Sequence, residues 1–306
     1  MEQIELIEHT INKIDDLIKE QLPESKYQFE LHDLATNTKH FRGYDEPFHW
    51  GSIYKFFVVV EIYKMAEKNE ISLNDTIYLN KTKYTKGVGF IRFLENLGSI
   101  SISDCCKILI STSDNVCADT LTELVTTNRL NALFKTINCH NSLVSDNLYE
   151  IVSLLINNEH DYYNTSYIYS NQFYNNFEKS LSILLTRNYT TVTDLNKMFH
   201  FILHNYLKDP TNFISLVNVP NVHSRFSQYM GFHKGISFIG KTGTLGFGIV
   251  SNEAAIIYDI PNKKTLGYIS ILTKNNRKKK YKSFDTLALI AIEIGRLYEQ
   301  INKQTK

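Results

Sequence analysis

The sequence lacks the long apolar segments of a membrane protein. Its longest apolar-rich runs, such as residues 56–62, are far shorter than the roughly 20 residues that a membrane-spanning helix needs. The first 20 residues contain six acidic side chains and no apolar stretch typical of a secretory signal. We therefore expect no membrane insertion and a cytoplasmic location for the sequence as it stands. The alternative is an exported protein whose signal has been removed.

The sequence also carries little excess charge of either sign. Its 306 residues have a formal net charge of +1. Nucleic acids and anionic membranes attract proteins through strongly basic surfaces, so neither is an expected partner. No glycine-rich phosphate loop is present either.

Metal and redox motifs are likewise absent. The four cysteines contain no C-x-x-C pair, and the adjacent Cys105 and Cys106 cannot easily pair with each other. We interpret all four as buried, reduced thiols. His200 and His204 are spaced like two metal ligands on a helix, but no third ligand is evident. We therefore expect neither a bound metal nor a cofactor.

The sequence does contain enough apolar residues, 43%, for a sizeable core. Isoleucines recur at helical spacing and predict an amphipathic helix over residues 3–21. Alternating apolar residues then predict strands near residues 27–31 and 40–44, with a turn between them. The amino-terminal end of the chain is therefore expected to supply one helix and two strands.

The carboxyl-terminal end shows a related pattern. Residues 253–260 and 265–273 are rich in Ile, Ala, Leu and Tyr and flank a turn, which predicts a hairpin, and an amphipathic helix follows. We predict an α+β fold in which both chain ends build one antiparallel sheet flanked by helices. A single domain is expected, with an α/β part at about 1–50 and 225–306 and an inserted all-α part at about 51–224.

The middle of the chain is expected to be largely helical. Residues 52–68 are apolar on several faces and predict a buried central helix. Residues 103–127 predict one or two further helices. Residues 161–177 are rich in Tyr and Asn, and we interpret them as an irregular loop or a short-helix insertion.

Three short motifs follow one another along the chain. They are Ser52-Ile53-Tyr54-Lys55, Ser113-Asp114-Asn115 and Lys241-Thr242-Gly243. On a helix, a serine and a lysine three positions apart lie on one face. Each motif alone is weak, because it also occurs at ordinary helix ends and turns. Their order, with 61 residues from Ser52 to Ser113 and 128 from Ser113 to Lys241, makes coincidence improbable.

The motifs supply the groups that a serine nucleophile needs. A serine hydroxyl requires a nearby base. Lys55 can serve as that base if burial and the charge of Lys241 lower its pKa. Ser113, between the two lysines, is predicted to relay a proton to the leaving group. Ser52 is therefore the predicted nucleophile, and the other three residues are its predicted catalytic partners.

The remaining motif residues are predicted to bind the substrate. Asn115 offers a side-chain amide to a substrate amide, and the hydroxyls of Thr242 and Thr244 suit a carboxylate. Gly243 lets a strand edge approach the ligand closely. The backbone N–H groups of Ser52 and Thr244 are the expected donors to the oxyanion.

With these motifs the chain resembles the penicillin-recognising serine enzymes, and within them the class A β-lactamase group. The resemblance covers nearly the whole chain, including residues 29–34, 87–91 and 253–273. It implies an α/β domain beside an all-α domain with the site between them. It also implies acyl-enzyme chemistry on a cyclic or linear amide or an ester, so the expected partner is a small-molecule or peptide-like acyl substrate.

The chain departs from that group at three positions. The group carries a glutamate in an E-x-x-L-N pattern that activates the deacylating water, and this pattern is absent. Glu150 is the nearest candidate by position, and Glu159 and Glu178 are more remote candidates. The alternative for Glu150 is a solvent-facing helix residue. The group's asparagine four residues after Asn115 is Asp119 here. Arg225 is the substitute candidate for a carboxylate-binding arginine that is missing after Lys241; its alternative is a surface arginine.

The residues alone leave three possible functions. The leading one is a β-lactamase-like serine acyl-hydrolase. The second is an acyltransferase, peptidase or esterase of the same fold with slow deacylation, for example in a biosynthetic pathway. The third is a catalytically silent binding module, against which the intact set of motifs argues.

Overall fold

We describe a computed structural model of the chain over residues 3–80, 88–155, 171–228, 235–245, 249–274 and 280–304. In chain order its elements are α1 (Gln3–Gln21), β1 (Lys26–Asp33), β2 (Thr38–Gly43), β3 (Phe48–His49), α2 (Tyr54–Glu67), β4 (Thr76–Tyr78), β5 (Ser99–Ser101), α3 (Ile102–Thr112), α4 (Asn115–Val125), α5 (Thr127–Thr136), β6 (Leu143–Val144), α6 (Leu148–Leu155), α7 (Asn171–Leu184), β7 (Asn188–Thr190), α8 (Val192–Phe201), α9 (Pro210–Val217), α10 (Arg225–Gln228), β8 (Ile236–Leu245), β9 (Val250–Asp259), β10 (Lys264–Lys274) and α11 (Lys280–Gln304). A short 3-10 turn, Ile91–Phe93, and a π-helical turn, Ile202–Tyr206, complete the described helical structure.

The main sheet has five antiparallel strands in the order β2-β1-β10-β9-β8. Both chain ends contribute strands, which confirms the predicted fold class. The predicted hairpin is the long β9–β10 pair, which extends a few residues beyond the sequence pattern at its open end. Because β8 is the last strand of this sheet, one of its edges faces the helical part of the molecule.

Helices α1 and α11 pack together against one face of the sheet. The isoleucines of α1 at positions 7, 11, 14 and 18 are fully buried there, as their helical spacing predicts. They share a core with Phe29 of β1 and Ile257 of β9. Residues from the two ends of the chain therefore build one apolar layer.

Helix α2 is the centre of the second core. Eleven of its 14 residues are buried, which confirms that it is a central helix rather than an amphipathic surface helix. Phe57 packs edge-on against Phe134 of α5 and lies beside Phe199 of α8. The burial of α2 on all sides explains why its sequence is apolar on several faces.

Three local expectations need refinement. Helix α2 begins at Tyr54, so Ser52 lies in the turn before the helix. The segment predicted as one or two helices is two, α3 and α4, which break at the second motif. Part of the Tyr- and Asn-rich segment forms the 14-residue helix α7, because its apolar residues recur at helical spacing; residues 161–170 lie outside the described residues. No described helix is both long and apolar enough to cross a bilayer.

Candidate active site

The predicted nucleophile, Ser52, lies in the tight turn between β3 and α2. The backbone N–H of Gly51 donates to His49 Nδ1 at 2.9 Å, and the Asn252 side-chain amide of β9 donates to the His49 carbonyl oxygen at 2.7 Å. Burial lowers the pKa of His49 to about 3, so its ring remains a neutral acceptor. The turn that carries Ser52 is therefore fastened to the main sheet.

Gly243 of β8 packs directly against the same turn. A Cβ atom added at Gly243 would lie 2.3 Å from the Trp50 carbonyl oxygen and 3.1 Å from the Ser52 nitrogen. Gly51 has a φ of +57°, and a Cβ added there would lie 2.5 Å from the Gly243 carbonyl carbon. The two glycines let the backbones of the first and third motifs touch.

Lys55 joins the first motif to the second. Its side chain is fully buried, three residues after Ser52. Its Nζ donates to the Ser113 carbonyl oxygen at 2.7 Å, to Ser113 Oγ at 3.1 Å and to Asn115 Oδ1 at 2.9 Å. An ammonium has three hydrogens to donate, so these acceptors satisfy it completely. Because a hydroxyl both donates and accepts, the bond to Ser113 Oγ can reverse when Lys55 is neutral.

The two buried lysines have strongly lowered pKa values. Burial lowers the pKa of Lys55 from 10.5 to about 7, while the negative charges of Asp119 and Asp114 act in the opposite direction. Burial, and then the charge of Lys55, bring the pKa of Lys241 well below that of a free lysine. Burial is thus the main cause, and at neutral pH Lys55 is poised between amine and ammonium.

The second motif forms the elbow between α3 and α4. Ser113 ends α3 in the left-handed conformation, with φ 58° and ψ 28°. Asp114 caps α4 by accepting from the N–H groups of Val116 and Cys117, and Asn115 is the first residue of that helix. The left-handed conformation costs a non-glycine residue on the order of 1 kcal/mol. At this elbow it directs Ser113 and Asn115 towards the same amine.

The comparisons with known proteins place the chain in a family. The model of a family described as the beta-lactamase enzyme family matches residues 9–298. The chain belongs to this family. It is a serine hydrolase of the β-lactamase-like type. A comparison with curated proteins gives no match.

Solved structures show the β-lactamase-like fold over almost the whole chain. PBP-A matches with a TM-score of 0.70 at 16% identity, covering 95% of this chain and 96% of its own. A mutant of PBP-A, an acyl-enzyme complex with penicillin G, matches with 0.69 at 16%, covering 95% and 97%. The chromosome-encoded β-lactamase of Vibrio parahaemolyticus matches with 0.70 at 16%, covering 94% and 98%. These likenesses establish the fold.

The two threonines at the third motif differ in their surroundings. Thr242 is buried, and its hydroxyl donates to the Asn252 carbonyl oxygen at 3.1 Å. This bond uses its only donor hydrogen, which a substrate carboxylate would need. Thr244 is half-buried near the end of β8 and remains the candidate for that contact. Lys241 Nζ donates to the Thr242 carbonyl oxygen at 3.2 Å.

Glu150, proposed from the sequence as the deacylating base, lies exposed at the start of α6. Its carboxylate accepts from the Asn147 backbone N–H at 3.0 Å, and its own N–H donates to Asn147 Oδ1 at 2.9 Å. This reciprocal pair is a capping box. The geometry favours the solvent-facing helix interpretation of Glu150. The three-residue spacing of Asn147 and Glu150 in the sequence is typical of such a capping box.

Replacing Glu150 tests this interpretation. Glu150→Ala is expected to lower the free energy of unfolding by about 0.5–1 kcal/mol, because one end of α6 loses its reciprocal cap. Formation and release of an acyl-enzyme should both proceed at the wild-type rate. Urea unfolding and intact-mass kinetics measure the two effects. A slowed release would restore Glu150 as the base.

Arg225, the candidate for binding a carboxylate, is committed to α10 and α11. Its guanidinium donates to Gln228 Oε1 at 2.8 Å and lies 4.9 Å above the Phe284 ring. Its backbone N–H donates to the carboxylate of Glu253 at 2.7 Å. These contacts give Arg225 a structural setting.

Sequence reasoning missed one carboxylate, which lies near Lys241. Glu253 of β9 is buried opposite Thr242, and burial raises its pKa to about 7. Its negative charge raises the pKa of Lys241, against the effect of burial. The register between β8 and β9 places Glu253 opposite Thr242, and a single sequence does not reveal that register.

Among the described residues, no cluster of His, Cys, Asp or Glu is arranged to hold a metal ion.

Proposed function

We propose that the protein opens a β-lactam, or a related amide or ester, through an acyl-enzyme on Ser52 and releases the acyl group to water. The observation that carries this proposal is the buried Lys55 amine, which follows Ser52 by three residues and binds both Ser113 and Asn115. A β-lactam is favoured because a PBP-A mutant of the same fold is an acyl-enzyme complex with penicillin G.

In the acylation step, neutral Lys55 accepts the proton of the Ser52 hydroxyl as Ser52 Oγ attacks the carbonyl carbon. The pKa of Lys55, lowered by burial to about 7, leaves a large neutral fraction for this step near pH 7. The proton then passes to Ser113, whose hydroxyl lies 3.1 Å from Lys55 Nζ, and on to the leaving nitrogen. The carbon–nitrogen bond breaks and a Ser52 ester remains.

The tetrahedral oxyanion needs preorganised donors. Ser52 and Thr244 are the proposed sources of the two backbone N–H groups. Gly243, which directly precedes Thr244 on β8, approaches the Ser52 backbone so closely that an added Cβ would lie 3.1 Å from the Ser52 nitrogen. A close, rigid contact of this kind fixes donors before the charge develops, which is how such sites lower the barrier.

The proposal is tested with a chromogenic cephalosporin and intact-mass spectrometry. The wild-type protein should gain the mass of the acyl group and turn the substrate over. Ser52→Ala should give no adduct and lose at least about a thousandfold in turnover, because the nucleophile is gone. The matched control is Ser215→Ala, since Ser215 is an exposed serine on α9.

The reaction of the wild-type protein and of Ser52→Ala with a β-lactam distinguishes the possible results. An adduct on the wild-type protein that Ser52→Ala abolishes supports the proposal. Equal turnover or adduct formation by wild type and Ser52→Ala would remove Ser52 as the nucleophile. A wild-type protein that neither reacts with β-lactams nor hydrolyses a simple activated ester would overturn the proposed activity.

A further inference from the structure

Release of the acyl group requires a carboxylate or another base to activate water. The geometry of Glu150 leaves this task unassigned, because its carboxylate caps α6. We infer that Asp119, one helical turn beyond Asn115 on α4, accepts the proton of the water that releases the acyl group from Ser52. This inference rests on the proposed function.

The first observation is where Asp119 lies. Helix α4 packs against α2, and its first residue, Asn115, touches Lys55 Nζ at 2.9 Å. Asp119 follows four residues later, so it shares the face of α4 that carries Asn115. Asp119 is 2% exposed, which places its carboxylate inside the contact between these helices. Of the described charges, Asp119 has the largest effect on the pKa of Lys55, which it raises against the effect of burial.

The second observation is a pair of buried hydroxyls beside this carboxylate. Tyr54 Oη and Thr122 Oγ1 are both buried and lie close to each other, and neither has a hydrogen bond of good geometry to any described group. Tyr54 immediately precedes Lys55, and Thr122 follows Asp119 by three residues on α4. Burial, and then the negative charge of Asp119, raise the pKa of Tyr54 well above that of free tyrosine. The carboxylate and the two hydroxyls therefore form a small polar cluster between α2 and α4.

Buried polar groups without partners are rare, and a bound water is the usual way to satisfy them. A water in this cluster has a carboxylate as acceptor and two hydroxyls as further partners. Two of the residues around it, Tyr54 and Lys55, begin α2 directly after the turn that carries Ser52. The cluster thus has the composition of a water-activating site, at the end of α2 that adjoins Ser52.

The release step consumes one water and restores the Ser52 hydroxyl. Asp119 takes one proton from the water while the water oxygen bonds to the acyl carbon. The tetrahedral intermediate collapses, and the bond between that carbon and Ser52 Oγ breaks. The proton held by Asp119 returns through Lys55 to Ser52 Oγ, which restores the hydroxyl. The products are a carboxylic acid and the free enzyme. An asparagine at this position has no basic oxygen that can take the proton, whereas aspartate does.

The test compares Asp119→Asn with the wild-type protein during reaction with penicillin G, followed by intact mass over time. Asp119→Asn keeps the shape and most hydrogen bonds of the side chain, and it should still form the Ser52 adduct. Release should slow at least about a hundredfold, which is the typical contribution of a general base, so the adduct persists. Glu150→Gln, which keeps the capping box, is the matched carboxylate-to-amide control and should release at the wild-type rate.

A second variant, Tyr54→Phe, removes one proposed water partner and should slow release without slowing adduct formation. Thermal unfolding of each variant confirms that it is folded. Wild-type release rates in Asp119→Asn would overturn the inference. A folded Asp119→Asn that no longer forms the adduct would also overturn it, because Asp119 would then act on Lys55 in acylation. A wild-type adduct that never releases contradicts the inference but keeps the Ser52 acyl-enzyme. A wild-type protein with neither adduct nor turnover contradicts the proposed function itself.

Discussion

Replacing Gly243 with alanine should slow acylation strongly and destabilise the protein. The new methyl group would lie 2.3 Å from the Trp50 carbonyl oxygen, far inside van der Waals contact. The atoms that it meets are backbone atoms of the turn before α2, and this turn is fixed by His49 and Asn252. Strand β8 must therefore move away from Ser52, which separates the two proposed oxyanion donors.

We expect Gly243→Ala to reduce the acylation rate by at least about a hundredfold, comparable with loss of an oxyanion donor. Overpacking at this contact should also lower the free energy of unfolding by about 1–3 kcal/mol. A chromogenic cephalosporin measures the first effect and urea unfolding the second. Gly98→Ala is the matched control, because no atom lies within 4 Å of its added Cβ. Near-normal activity in Gly243→Ala would show that β8 does not form the wall of the oxyanion site.

Much of the fold was predictable because its signals are local. The isoleucines of α1 recur at helical spacing over almost all of the helix, and one turn separates the β-rich strands of the β9–β10 hairpin. The motifs were also readable, since Lys55, Ser113 and Asn115 meet as their chemistry requires. Each of these features depends on residue types and short spacings that a single sequence displays.

The rest depended on contacts between residues far apart in the chain. Gly51 and Gly243 are 192 positions apart in the sequence, and no pattern in either segment predicts that their backbones touch. Glu150 occupied a plausible position along the chain, and the structure shows its carboxylate in a reciprocal cap with Asn147 three residues earlier. Asp119 counted in the sequence only as a departure from the family pattern. The role that we infer for Asp119 depends on the packing of α4 on α2, which brings Asp119 near Lys55.

Replacing Lys55 with methionine should abolish acylation and change stability in a pH-dependent way. Burial lowers the pKa of Lys55 from 10.5 to about 7 in the folded protein. Between these values the unfolded chain binds a proton that the folded chain does not, so the free energy of unfolding rises with pH. Below pH 7 both states are protonated, and the folded protein carries the full cost of a buried ammonium. Methionine has a similar length and carries no such cost.

We therefore compare the free energy of unfolding of Lys55→Met with that of the wild type. The variant's value minus the wild-type value should be greatest at pH 6 and should be lower by about 3 kcal/mol at pH 9. Urea unfolding at the two pH values measures this difference. In Lys55→Met, acceptors such as Asn115 Oδ1 lose a hydrogen-bond donor, which changes the free energy of unfolding by the same amount at every pH. The pH dependence of the difference between the two proteins therefore reports the titration of the buried Lys55. Lys135→Met, at an exposed position of α5, is the control for losing a lysine and should keep a constant difference from wild type.

The same titration should govern the chemistry of the wild-type protein. Acylation needs the neutral amine, so its rate should rise as pH increases through about 7 and level off above it. Lys55→Met should show no acylation at any pH in that range, even where it is the more stable protein. A stability difference that does not depend on pH, together with an acylation rate that is flat between pH 6 and 8, would mean that Lys55 stays an ammonium. Another group would then have to deprotonate Ser52.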